Sequence, residues 1–207
     1  MSYKQNIIYK THRKIKEAIS ARKKIFLWKL KGCPIPPPPA IKQMINKYYA
    51  KKYDLHTFIE TGTYMGEMID AVMNKFSRII SIEYDTALAE RAKKGYSLYN
   101  HIAIYHGDSG KILREIMPAI NEPCLFWLDA HYSGGVTAQA GSETPIIEEI
   151  RTILEHSCSD HVVLIDDARE FTSNKNYPAL EELKQIVKQS QKKWQMVVDN
   201  DIIRIHK

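Results

Sequence analysis

Residues Glu60-Thr61-Gly62-Thr63-Tyr64-Met65-Gly66 constrain the fold more than any other stretch of this chain, because they set an acid and two glycines between two different hydrophobic periods. Before them stands the apolar-rich run Thr57-Phe58-Ile59, and after them Met65, Ile69, Val72, Met73 and Phe76 recur at helical spacing. Strand, glycine turn and helix follow. Glycine lets the backbone turn tightly and approach a ligand, while the N–H groups that open the helix face it. The spacing departs from the dinucleotide fingerprint G-x-G-x-x-G, since the turn reads E-x-G-x-Y-x-G with Tyr64 where a second close glycine would stand. The next strand, Arg78 to Glu83, ends in an acid 23 residues beyond Glu60, suited to both hydroxyls of a ribose.

No apolar run of the 207 residues is long enough to span a bilayer, and the apolar positions of the N-terminus are interrupted by charge. Neither a transmembrane helix nor a secretory signal is expected. The cysteines, Cys33, Cys124 and Cys158, are few, widely spaced and odd in number, which fits a reducing compartment and a cytoplasmic location.

The net charge of +6 is unevenly spread. Residues 1–31 hold ten Lys or Arg against one acid, Glu17, so they carry +9 and the remainder −3. Ile8, Ile15, Ile19, Phe26 and Leu30 predict a basic amphipathic helix stopped by Gly32, and Pro34 to Pro39 a stiff extended spacer. Three uses of the arm compete: packing on, or dimerising, the rest of the chain; peripheral contact with an anionic membrane at the inner face; and binding of RNA or another polyanion. The expected organisation is an arm over 1–33, a proline-rich linker and helix over 34–53, and an α/β domain over 54–207.

Within that domain strands are predicted near 57–60, 78–83, 102–106, 124–129 and 161–166, alternating with helices near 66–76, 86–96, 109–117, 145–157 and 178–190. Thr144, Pro145, Glu148 and Glu149 supply helix-start chemistry. Two apolar runs flanking Asp199-Asn200 predict a closing antiparallel hairpin.

Five β-α units followed by such a hairpin resemble the class I S-adenosylmethionine-dependent methyltransferases. The resemblance implies a Rossmann-like, seven-stranded, mostly parallel sheet with helices on both faces. The E-x-G-x-Y-x-G turn resembles the first motif of the catechol O-methyltransferase branch, in which the tyrosine lies near the transferable methyl. Carried over by position, Glu60, Gly62 and Gly66 would frame the methionine moiety of S-adenosylmethionine. Thr61 or Thr63 would offer hydroxyls to its carboxylate, Tyr64 would stand beside them, and Glu83 would hold the ribose. Asp108, with Ser109 beside it, would accept from the adenine amino group; the plainer role of Asp108 is a helix N-cap.

The fourth strand ends in Asp129 and the fifth in Asp166-Asp167. Three carboxylates converging at the mouth of a sheet require positive charge among them, and hard oxygen donors suit Mg²⁺ or a similar divalent ion. The metal-dependent O-methyltransferases place acids at these strand ends, and the macrocin-type sugar enzymes resemble this chain in the Asp-Asp pair. Adjacent strand residues point to opposite faces, so both ligate only if the chain has left the strand. In the plainer alternative Asp129 binds substrate, Asp166 is a solvated strand end and Asp167 caps a turn.

The catechol enzymes carry a lysine three positions after the fourth-strand acid, where this chain has Tyr132, preceded by His131. His131 and Asp129 are the candidate bases. The glycine-containing loop from His131 to Thr144 and the polar segment from Arg169 to Asn176 would rim the acceptor site, and polar rims favour a hydroxylated acceptor such as a sugar or glycan. The reading is a divalent-metal-assisted O-methyltransferase for a small-molecule or glycan hydroxyl. RNA ribose methylation is the alternative enzyme, since the sequence holds no Asn/Asp-Pro-Pro-Tyr segment for amino methylation. A non-catalytic interaction module of the same fold is the alternative outside enzymes.

Overall fold

The computed structural model describes residues 20–129, 145–158, 160–172, 177–190 and 192–207. A helical stretch over 20–30 (α1) leads through the proline-rich segment into α2 (Pro39–Lys52), and alternating elements then follow. These are β1 (Thr57–Thr61), α3 (Glu67–Val72), β2 (Arg78–Glu83), α4 (Thr86–Tyr96), β3 (Ile102–His106), α5 (Ser109–Ile116), β4 (Cys124–Leu128), α6 (Pro145–Glu155), β5 (Val162–Ile165) and α7 (Leu180–Gln189). The hairpin β6 (Gln195–Asp199) and β7 (Ile202–His206) closes the chain.

Seven strands form one sheet in the order β3-β2-β1-β4-β5-β7-β6, parallel except where β7 pairs antiparallel with both β5 and β6. The order reverses between β1 and β4, the switch point where open α/β sheets hold ligands beyond their carboxyl ends. Central strands are apolar on both faces because helices cover both. Side-chain alternation divides the core accordingly. Ile59, Ile80, Phe126, Val163 and Ile203 pack with α5, α6 and α7, whereas Phe58, Ile79, Leu125, Trp127 and Leu164 pack with α1, α2 and α3.

Among its described residues, the arm enters this second layer through Trp28, with half-buried Ile25 packed beside it. Trp28 is buried, and its Nε1 donates to the Pro34 carbonyl at 2.7 Å, while Phe26, Leu27 and Leu30 stay exposed among Arg22, Lys23, Lys24 and Lys29. The proline segment is therefore short: Pro39 already opens α2, whose buried Ile41, Ile45 and Tyr49 fasten it to the same core. Among the described residues, no helix is long and apolar enough to cross a membrane.

Candidate active site

The parallel ladder continues one residue past the strands and so lines up the turns that carry the acids. Gly107 N donates to the Glu83 carbonyl at 2.9 Å, Gly62 N to Ile82 at 2.9 Å, Asp129 N to Thr61 at 3.0 Å and Asp166 N to Leu128 at 3.0 Å. Glu83, Glu60, Asp129 and Asp166 thereby come to neighbouring strand ends.

The glycine turn is locked from several sides. Glu83 Oε2 accepts from Tyr64 N at 2.8 Å and its Oε1 from Asp85 N at 2.9 Å, so one carboxylate ties the turn after β1 to the start of α4. Tyr64 adopts φ 48°, a left-handed conformation costly for a residue with a Cβ. Gly66 has φ 80°, and a Cβ there would lie 2.3 Å from Tyr96 Oη, which itself donates to the Gly66 carbonyl at 3.0 Å. Only glycine meets both demands.

Glu60 is buried beneath this turn. Its Oε2 accepts from Ser81 Oγ at 2.7 Å, and Ser81 Oγ lies 2.6 Å from Thr63 Oγ1, which makes Thr63 the donor in that second bond. Burial pushes the Glu60 carboxyl up to about 8, opposed by the Ser81 bond and reinforced by Asp129 and Glu83. Glu60 lines a cleft of about 150 Å³ together with Gly62, Thr63, Tyr64, Trp127 and Asp129.

On the far wall of the same cleft stands Lys42, from the first turn of α2. Lys42 Nζ donates to Asp166 Oδ2 and, at 3.3 Å, to Asp167 Oδ1. Arg169 Nη1 approaches Asp167 Oδ1 to 2.8 Å and also pairs with Asp201. Burial lowers the Lys42 pKa, but the facing carboxylates outweigh it and the net shift is upward. Asp166 is pushed up to about 7 by burial and then by Asp129, against the pull of Lys42. Lys42 therefore stays charged, while Asp166, drawn toward ionisation by Lys42 against its burial, titrates near neutrality. Asp129 Oδ2 accepts from Trp127 Nε1 at 3.3 Å.

No protein-family model and no curated protein matches the chain. Several solved structures do. The O-methyltransferase from Bacillus cereus in complex with SAH has a TM-score of 0.61 at 12% identity, covering 90% of this chain and 90% of that one. The O-methyltransferase TomG from Streptomyces achromogenes, in complex with SAM, has a TM-score of 0.56 at 14% identity over 89% of this chain and 87% of its own. SAH-bound PaMTH1 of Podospora anserina has a TM-score of 0.56 at 15% identity over 94% and 95%. The fold is that of the class I methyltransferases.

In this methyltransferase fold the sequence-predicted cofactor residues fall into two groups. Glu60, Gly62, Thr63 and Tyr64 line one cleft with Asp129, and Gly66 closes the turn behind them. Glu83 braces that turn through backbone N–H groups. Asp108 caps α5, accepting from Lys111 N at 2.9 Å, as the plainer alternative had it, and Ser109 is buried at the same helix start. His131, Tyr132 and the loop to Thr144 lie outside the described residues, as does 173–176 of the second rim.

At the expected metal site the carboxylates face side-chain cations. Asp166 and Asp167 do leave the strand: β5 ends at Ile165, and Asp167 turns into φ 52° ahead of a short 3-10 segment, so both carboxylates reach one cation. That cation is Lys42. Among the described residues no group of three His, Cys, Asp or Glu has metal-ligand spacing, and one oxygen of each carboxylate of the pair already accepts from Lys42, with Arg169 sharing that of Asp167. A divalent ion at Asp129, Asp166 and Asp167 would have to take these oxygens from the side-chain cations.

Lys42 carried no local signal in the sequence, being one of many lysines near the N-terminus. Glu149 was better marked, because it falls on the apolar stripe of α6 with Ile146, Ile150 and Ile153. It is fully buried, and among the described residues neither of its oxygens nor Thr61 Oγ1 has a hydrogen-bond partner. Burial pushes its carboxyl up to about 7, while the neighbouring Ser109 and Thr61 hydroxyls pull the other way without reaching hydrogen-bond geometry.

Proposed function

We propose that the chain is an S-adenosylmethionine-dependent O-methyltransferase acting on a hydroxyl of a small molecule or sugar. The observation that carries this reading is Glu60, a buried carboxyl to which no cation is bonded among the described residues, set under a glycine turn at the sheet switch point of a methyltransferase fold. S-adenosylmethionine fits such a site, since its α-ammonium and sulfonium bring the missing positive charge. When bound it supplies an electrophilic methyl: the acceptor oxygen forms the O–CH₃ bond, the S–CH₃ bond breaks to leave a thioether, and the hydroxyl proton departs to a base.

The chain's own groups have definable tasks. Gly62 and Gly66 let the backbone close on the methionine moiety, and Glu83 holds that turn in shape. Asp129, directed by Trp127 Nε1, lines the same cleft as the glycine turn and accepts the hydroxyl proton. Lys42 and Asp129 on the cleft wall, with Arg169 behind Asp167, suit an acceptor rich in hydroxyls, which supports a sugar or glycan rather than an apolar ring.

Calorimetry with S-adenosylhomocysteine tests the reading on the full chain. We expect stoichiometric binding that is lost in Glu60→Ala. A chain that takes up no S-adenosylhomocysteine at all would sink the methyltransferase assignment.

A further inference from the structure

The carboxylates at the ends of β4 and β5 need positive charge among them, and the structure meets that need with a side chain. Lys42 is no wandering surface lysine. Its neighbours Ile41 and Ile45 are buried, Asn46 Nδ2 donates to the Lys42 carbonyl at 3.0 Å, and its own side chain is 18% exposed. Much of the entropy of ordering it is therefore already spent in packing α2. An ammonium has three N–H donors. Asp166 and Asp167 take two, and Lys42 also lines the cleft that holds Glu60, Trp127 and Asp129.

A divalent ion and this ammonium compete for one place. A small divalent ion of the magnesium type demands about six oxygens at roughly 2.0–2.1 Å. Here Asp167 Oδ1 already receives Lys42 at 3.3 Å and Arg169 at 2.8 Å, and Arg169 is held in turn by Asp201. Bringing in a dication would require displacing at least the lysine, because like charges at such range repel strongly in a partly buried site.

Resting on the methyltransferase reading above, we propose that Lys42 replaces a divalent ion as the resident cation of the acceptor pocket. It clamps Asp166 and Asp167 and turns its remaining N–H to the acceptor oxygen. As that oxygen passes its proton to Asp129 and gains the methyl, the ammonium stabilises the negative charge that develops on it. Lys42 is thus a positioning and electrostatic group supplied by the helix that precedes the first strand.

The test titrates Mn²⁺ into the full chain, following free Mn²⁺ by electron paramagnetic resonance, with S-adenosylhomocysteine calorimetry on the same samples. Wild type and Lys42→Arg are expected to take up no Mn²⁺ at this pair, whereas Lys42→Ala gains a site at least about tenfold tighter. Asp166→Asn in the Lys42→Ala background removes that gain. Lys42→Gln keeps the stem and serves if the alanine variant does not fold. Mn²⁺ bound by wild type as tightly as by Lys42→Ala, and lost in Asp166→Asn, overturns the proposal. So does a lysine-free variant that gains nothing. Loss of S-adenosylhomocysteine binding in wild type would instead strike the methyltransferase reading, since the Mn²⁺ titration does not depend on it.

Discussion

The two sides of the cleft satisfy their acids by different means. On the side of β1, β2 and β3 the partners are backbone N–H groups and hydroxyls: Glu83 takes Tyr64 and Asp85, Asp108 takes Lys111, and Glu60 takes Ser81. On the side of β4 and β5 the partners include cationic side chains from distant segments, with Lys42 standing 124 residues before Asp166. The first arrangement shapes a turn around a cofactor and leaves Glu60 short of a positive charge. The second brings its own positive charge and leaves a donor for an acceptor. One half of the cleft is electrostatically incomplete and the other is nearly self-contained.

The sharpest way to break the first side is Gly66→Ala. The new methyl group meets Tyr96 Oη and the backbone keeps φ 80°, so we expect S-adenosylhomocysteine affinity to fall by at least ~100-fold and stability by about 2–3 kcal/mol. Calorimetry and urea unfolding measure the two; a variant that binds normally would mean the turn is not the cofactor clamp. On the other side Asp201→Ala removes the anchor of Arg169, whose side chain is about a third exposed, and should cost ~2 kcal/mol in unfolding free energy. Unchanged S-adenosylhomocysteine affinity in that variant would sharpen the division between the two sides.

Glu60→Gln probes the incomplete half directly. Ionised Glu60 attracts a cationic ligand and protonated Glu60 does not, so wild-type affinity for S-adenosylmethionine should rise with pH up to about 8 and level off above it. The glutamine variant should lose this Glu60-dependent rise and bind about tenfold more weakly above that pH. An identical pH profile in both proteins would remove Glu60 from the account. The smallest effect belongs to Asp108→Ala, about 1 kcal/mol of stability for a lost N-cap. Should S-adenosylhomocysteine affinity fall by more than the stability does, Asp108 serves the ligand as well as its helix.

Legibility in the sequence follows the same division. The alternation of strands and helices, the closing hairpin and the turn from Glu60 to Gly66 were readable because periodicity, glycine and caps act over a few residues. β2, β3 and α4 fall at the predicted residues, and the ends of β1, β4 and β5 differ by one. The requirement for positive charge among Asp129, Asp166 and Asp167 was also readable, but not its source. Nothing near Lys42 distinguishes it from the lysines around it, and only the docking of α2 through Ile41 and Ile45 brings it to strand ends far along the chain. A long-range ion pair leaves no periodic mark. Glu149 did leave one, as an acid on an apolar stripe, and its place beside the first-turn acid Glu148 disguised it.

Trp28 gives the basic arm a mechanical connection to this chemistry. Its ring is inserted into the layer that also holds Ile41 and Ile45, and its Nε1 is fastened to the Pro34 carbonyl a few residues before α2 begins. A truncation that removes α1 would therefore withdraw a wedge from beneath the helix that carries Lys42, rather than trim a tail. If a ligand gripping the exposed lysines of α1 shifted Trp28 and altered affinity in the cleft, reciprocity would require occupancy of the cleft to alter the arm's affinity by the same factor.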